Sequence, residues 1–167
     1  MERSGRGSPR IAVIGIVCVM AVGTAAIFIS RTSPPLAEPA VQQEQTGEFG
    51  GVSLRIEYAT TTEARERGLG GRTEIPENYG MLFAFPQDDY YGFWMEDMLV
   101  PVDIFWLDAQ GQVVFIMADI DPSSYPDVFY PLVLARYVLE TAAGFARSHH
   151  IEIGAPLVLK SFPSVTE

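Results

Sequence analysis

The chain has 167 residues, 21 of them acidic against 11 basic, a net charge of −10 and a single cysteine, Cys18. That length holds one domain plus a short appendage. The acidic balance repels phosphate backbones and argues against nucleic acid as a partner, while a lone cysteine excludes intrachain disulfides and thiolate metal sites.

Residues 1–10 form a leader with three arginines and one acid. Residues 11–29, IAVIGIVCVMAVGTAAIFI, carry no charge. As a helix they would span about 28 Å, close to the hydrocarbon thickness of a bilayer. A single transmembrane anchor is therefore expected, with the lipid bilayer as partner. The basic leader would stay in the cytoplasm and the remainder would stand outside it, in the periplasm or extracellular space. The rival reading is a cleaved signal peptide. Its apolar stretch would run about 7–15 residues, and here the small-residue pattern at 23–25 lies inside the apolar run. Either way the rest of the chain is exported.

Residues 30–50 are rich in Pro, Gln, Glu and small side chains without an apolar period, and read as a flexible linker. From residue 32 onward 20 acids face 7 bases, and Lys160 is the only lysine. Such a surface stays hydrated in high salt, which is the plain account of its acidity. Residues 51–162 are expected to fold as the globular domain, with a tail at 163–167.

Within that domain Val52, Leu54, Ile56 and Tyr58 alternate with polar residues, the period of a half-buried strand. Thr60 and Glu63 have capping-box spacing, so a short helix is predicted from about Thr62 to Gly68. Residues 81–85 are a continuous apolar run ended by Pro86, predicted as a strand buried on both faces. Strands are also predicted at 91–95, 102–107 and 113–117, with a hairpin loop at 108–111. Three prolines make 119–131 an irregular loop. A strand at 136–140, a helix at 142–150 and a strand at 157–162 complete the set. The expected fold class is α+β: a compact, mostly antiparallel, strongly curved or barrel-like sheet with two short helices, preceded by one transmembrane helix.

Several of these segments resemble a known family. Arg65-x-x-Gly68-Leu69 is followed by Arg72, then by Gly80-Met81-Leu82-Phe83-x-Phe85. Phe93-Trp94-Met95 leads to Pro101-x-Asp103-Ile104, and Tyr137-Val138-Leu139-Glu140 precedes Ala143-Gly144-Phe145. Over residues 52–160 the sequence resembles the domain of unknown function 192, an uncharacterised family of secreted or membrane-anchored bacterial and archaeal proteins. The resemblance implies a small β-rich domain and no established activity. It departs from the family pattern at Glu96-Asp97-Met98, where members read Lys-Asn-Thr, and at Gly154-Ala155, where they read Gly-Asp.

The aromatic and acidic cluster carries the best site: Trp94, Glu96, Asp97 and Asp103, with Arg72, form the candidate ligand-binding set. Strand alternation places Trp94 and Glu96 on one side, where an aromatic face beside carboxylates suits a sugar. Against this stands core packing for Trp94, for which Trp94→Ala would cost about 3–5 kcal/mol, and turn chemistry for Asp103. Arg65, Arg72 and Arg136 are each expected to pair with a buried acid such as Glu140 or Asp103. Asp119, Asp121 and Asp127 offer a weak oxygen site, but Ser124 and Tyr130 replace the glycine and acid of a calcium loop. No thiol, serine motif or paired histidine supports nucleophilic or zinc chemistry, and no cofactor is indicated. A binding or accessory module is expected. The alternative is a carboxylate-dependent hydrolase acting on envelope carbohydrate, which would bring Glu96 and Asp103 within about 5–10 Å.

Overall fold

The computed structural model describes residues 44–165. The leader, the expected anchor at 11–29 and the first part of the linker lie outside the described residues. Among the described residues, no helix is long and apolar enough to cross a membrane.

The chain enters the fold earlier than its composition suggests. Glu44–Phe49, read as linker, is strand β1, paired antiparallel with β2 (Val52–Ala59). Gly50 and Gly51, both at positive φ, make the two-residue hairpin turn. A polar strand is tolerated here because its buried surface is concentrated in few positions. Phe49 is fully buried, and a Cβ on Gly47 would lie 2.4 Å from a methyl carbon of Leu159.

After β2 comes helix α1 (Thr62–Arg67). Its cap is Thr61, one residue later than the predicted box, with Oγ1 accepting from the Ala64 amide at 3.1 Å. Gly68 at φ 50 ends it. The helix is the crossover that lets β3 (Tyr79–Asp89) lie parallel to β2. Strand β3 does not stop at Pro86, because its pairing with β8 (Ala135–Ala142) is broken by an irregularity between Ala84 and Asp89 that accommodates the proline. The predicted strand at 91–95 is only β4 (Phe93–Trp94), whose partner is β7 (Val128–Phe129) inside the proline-rich loop. That loop also holds a 3-10 turn, Pro122–Ser124, capped by Asp121. Its prolines therefore start and bound local structure instead of forbidding it. Strands β5 (Val102–Leu107) and β6 (Val113–Ile120) form the predicted hairpin, and β8 (Ala135–Ala142) lies between β5 and β3. The second helix shrinks to α2 (Phe145–Ser148) and the last strand to β9 (Leu157–Val158).

The seven strands of the main sheet run in the order β6-β5-β8-β3-β2-β1-β9, antiparallel except for β2 and β3. Its edges approach each other at one rim. Leu157 N–H donates to Gly111 O, Val113 N–H to Ala155 O, and Gln112 bridges Pro156. The expected curved, barrel-like and mostly antiparallel sheet is thus a curled half-barrel. Phe49, Leu54, Ile56, Leu82, Phe105 and Leu139 fill its inside, with Phe145 of α2 closing the end. The outer face of β2, β3, β8 and β5 is a second core. It is covered by α1, the turn at Leu69 and the segment bearing Phe93, Met95 and Met98.

Asp103 holds the two layers in place from within. Its fully buried carboxylate accepts from the Asp119 amide at 2.7 Å, from Gly144 at 3.1 Å and from Ala146 at 2.7 Å, tying β5 to β6 and to the start of α2. Asp103→Asn replaces one charged acceptor oxygen by a donor facing a backbone N–H. It is expected to lower unfolding free energy by about 1.5–3 kcal/mol in urea denaturation.

Candidate functional site

The outer face of the sheet carries two acids in a row of apolar residues. Strand register places Glu57 of β2, Met81 of β3, Glu140 of β8 and Ile104 of β5 side by side on that face. Glu57 is 4% exposed and fully engaged. Arg72 Nη2 donates to both of its oxygens at 3.1 and 2.9 Å, and the Tyr79 hydroxyl donates to Oε2. Arg72 Nη1 completes the triangle by donating to Tyr79 Oη at 2.9 Å. Burial, and then the hydrogen bond to Glu57, push the Tyr79 phenol above its ordinary range.

Glu140, across Met81 from this triangle, is 5% exposed and has neither a hydrogen bond nor an ion pair among the described residues. Burial pushes its carboxyl up to about 8, with the charge of nearby Arg72 pulling the other way. The expected pairing with a buried acid forms for Arg72, with Glu57 in place of Glu140 or Asp103. Arg72 takes Glu57, and Arg65 donates to the carbonyls of Thr60 and Ala84 at 2.9 and 3.1 Å. Arg136 lies 2.7 Å from Asp88 as an ion pair without hydrogen-bond geometry.

Glu140 lines a cleft of about 160 Å³ between α1 and the β4 segment. Phe83, Phe85, Phe93, Met98 and Leu69 form its apolar wall, and Trp94 with Glu96 its rim. The wall is fixed by aromatic contacts. Phe93 meets Phe83 edge-on at 4.9 Å and Trp106 at 6.0 Å, while Trp106 Nε1 donates to Tyr91 O at 2.8 Å. Each such ring pair adds about 0.5–1.5 kcal/mol beyond its buried area.

Of the residues singled out from the sequence, Trp94 and Glu96 line this cleft, on one side as alternation requires. Trp94 is not a core residue: it is 44% exposed, with its indole N–H donating to Glu96 Oε2 at 3.2 Å. Glu96 Oε1 accepts from Tyr125 Oη at 3.1 Å. The core reading is thereby corrected, because the β4 side facing inward belongs to Phe93 and Met95. Trp94→Ala is now expected to change the melting temperature by less than the equivalent of about 1 kcal/mol. A loss of about 3–5 kcal/mol would restore the core reading.

The other three serve the scaffold. Arg72 is taken by Glu57. Asp97 makes a left-handed turn at φ 57, its carbonyl accepting from the Gly71 amide at 2.8 Å. Asp103 alternates with Val102 and Ile104 and so faces the inside of the half-barrel, away from Glu96. The two do not share a cleft. Two of the acids proposed for an oxygen site are also otherwise engaged: Asp119 pairs with Arg147, and Asp121 caps the 3-10 turn at the Ser123 amide. Among the described residues no three His, Cys, Asp or Glu side chains gather where one ion could be held.

The sequence marks Glu140 only as a partner for an arginine. The signal for more was its place in YVLETA, an acid in a strand register otherwise turned to the core.

The sequence profile of the domain of unknown function 192, described as uncharacterized ACR, matches residues 41–159. None of the curated proteins matches the chain. Two solved structures are similar. One, from Sinorhizobium meliloti 1021 and described as a proposed transcription regulator, is 22% identical with a TM-score of 0.66, covering 72% of this chain and 96% of its own. The other, a protein of unknown function from Novosphingobium aromaticivorans DSM 12444, is 26% identical with a TM-score of 0.64, covering 75% of this chain and 93% of its own.

Proposed function

For a chain that belongs to the domain of unknown function 192 family, we propose a small-ligand-binding module, exported and held to the membrane by residues 11–29, whose site is the cleft beneath Trp94. One observation carries the binding role: Glu140, a 5% exposed carboxyl with no hydrogen bond or ion pair among the described residues, lines an open cleft walled by fixed aromatic rings. An unpaired buried polar group costs about 1–3 kcal/mol, and a ligand that engages it recovers that cost on binding. The likeness to the described regulator extends to the fold alone at 22% identity, and the acid surface argues against a role on nucleic acid.

The membrane reading rests on the uncharged run behind an arginine-bearing leader. A reporter active only in the cytoplasm, fused after residue 167, is expected to be silent, and an active fusion would remove that part of the proposal.

Ligand binding is tested by thermal shift of the full-length protein against small neutral, cationic and sugar probes. A bound probe at 100 times its Kd adds about 2.7 kcal/mol. The Trp94→Ala variant should lose the response without losing stability. A response indifferent to Trp94 and Glu140 places the ligand elsewhere.

A hydrolase of envelope carbohydrate remains the second reading, now on different residues. Glu140 held protonated near neutral pH would be the acid, and Glu96, lining the same cleft, the second carboxylate. Release of reducing ends from cell-wall glycan, abolished in Glu140→Gln, would establish it; binding without release favours the module.

A further inference from the structure

Among the described residues the outer face of the sheet holds two buried carboxyls, Glu57 and Glu140, and beside them one half-buried base. Arg72 is that base, and its guanidinium is committed to Glu57 and Tyr79. Glu140 feels the charge of Arg72 but has no ion pair of its own among the described residues, and its side chain lines the aromatic cleft. We propose that the cleft takes a compact organic cation, an ammonium or quaternary amine, whose charge sits against the Glu140 carboxylate and the faces of the surrounding rings. This deepens the binding role proposed above and rests on it.

Three features favour a cation over a neutral or anionic ligand. Charge is the first: Glu57, Arg72 and an ionised Glu140 sum to one negative charge in a low-dielectric site, and a ligand cation brings it to neutrality. The wall supplies the second, since ring faces attract cations within about 6 Å of their centroids. The protein already uses it in this way, with Arg65 at 5.4 Å over Phe85. The third is the rim, where Glu96 and Glu66 add acid. The bases Arg65 and Arg67 also line the cleft, but Arg65 is turned onto the Thr60 and Ala84 carbonyls.

Without ligand, a proton takes the cation's place on Glu140. Entry of a cation releases that proton, so affinity should rise about tenfold per pH unit below the carboxyl's pKa and level off above it. The groups that set this titration are Arg72, Glu57 and Tyr79 from β2, β3 and the turn between them. Arg65, Glu66 and Arg67 contribute from α1, and Glu96 from the rim.

The test uses the full-length protein with choline, whose charge is fixed at every pH, beside its neutral carbon isostere 3,3-dimethylbutanol and methyl glucoside. Calorimetry in buffers of different ionisation enthalpy should show choline binding with proton release at pH 6.5, and affinity rising about tenfold from pH 6.5 to 7.5. The isostere should bind at least about tenfold more weakly. Glu140→Gln should abolish both the proton release and the preference for charge. Trp94→Ala, at the exposed rim, should weaken choline binding without altering the fold. Equal binding of isostere or glucoside, or choline binding unchanged in Glu140→Gln, overturns the cation inference and leaves the binding role standing. Silence of all three probes in the wild type overturns this inference, while the wider probe set decides the binding role.

Discussion

Replacing Arg72 by alanine is expected to destabilise the domain by about 3–5 kcal/mol, the cost of stranding a buried charge whose partner has been removed. Glu57 would keep only the Tyr79 hydroxyl. Arg72→Lys should fall between, since an ammonium reaches one acceptor where the guanidinium fork reaches Glu57 and Tyr79 together. The decisive variant is the pair Arg72→Met with Glu57→Gln. Removing both charges leaves no stranded ion, so most of the loss should be recovered. Chemical denaturation of the four proteins measures this. An Arg72→Ala loss below about 1 kcal/mol would show the triangle to be a surface ion pair of little weight.

Glu140→Gln is expected to invert its effect with pH. In the folded protein the carboxyl keeps its proton to about 8, whereas unfolded it releases it near 4.5. Between those values folding takes up a proton, so this group's contribution to stability falls as pH rises and is fully lost above about 8. The interval sets a ceiling of about 5 kcal/mol at about 1.4 kcal/mol per pH unit. Glutamine has no such dependence. The variant should match or trail the wild type at pH 5 and exceed it by several kcal/mol at pH 9. Parallel melting curves across pH for the two proteins would show that Glu140 stays ionised throughout. Arg72→Ala removes a positive charge that favours ionised Glu140, so in that background the fall of stability with pH should continue to higher pH before it levels off.

Much of the fold could be read from periodicity. Strand β2 follows from alternation, and β5, β6 and the hairpin between them, with the stop at Gly68, follow from short apolar runs bounded by turn residues, signals that act over a few positions. The misses have a common cause. β1 shows no apolar period because a strand at the sheet's margin can rest on one phenylalanine and a closely packed glycine. The Gly50-Gly51 pair that turns it was nonetheless a local signal. Pro86 ends most strands, yet here the break in the ladder absorbs it, and whether a neighbour makes room is not written locally. β4 and β7, two residues each, find one another across more than thirty positions of sequence.

The site divides in the same way. Alternation alone set Trp94 and Glu96 on one side, and placed Asp103 opposite to its neighbours. Which side faces solvent, and which acid goes without a base, depended on the register of four strands. That register gave Arg72 to Glu57 and left Glu140 alone. Composition and pattern thus determined the β-rich class, the acidic surface and the strands' two faces, since these are sums and short-range periods. Tertiary structure decided the curl of the sheet, the crossover that makes one pair parallel and the pairing of buried charges. Those are contests between distant partners for the same space and the same hydrogen bonds.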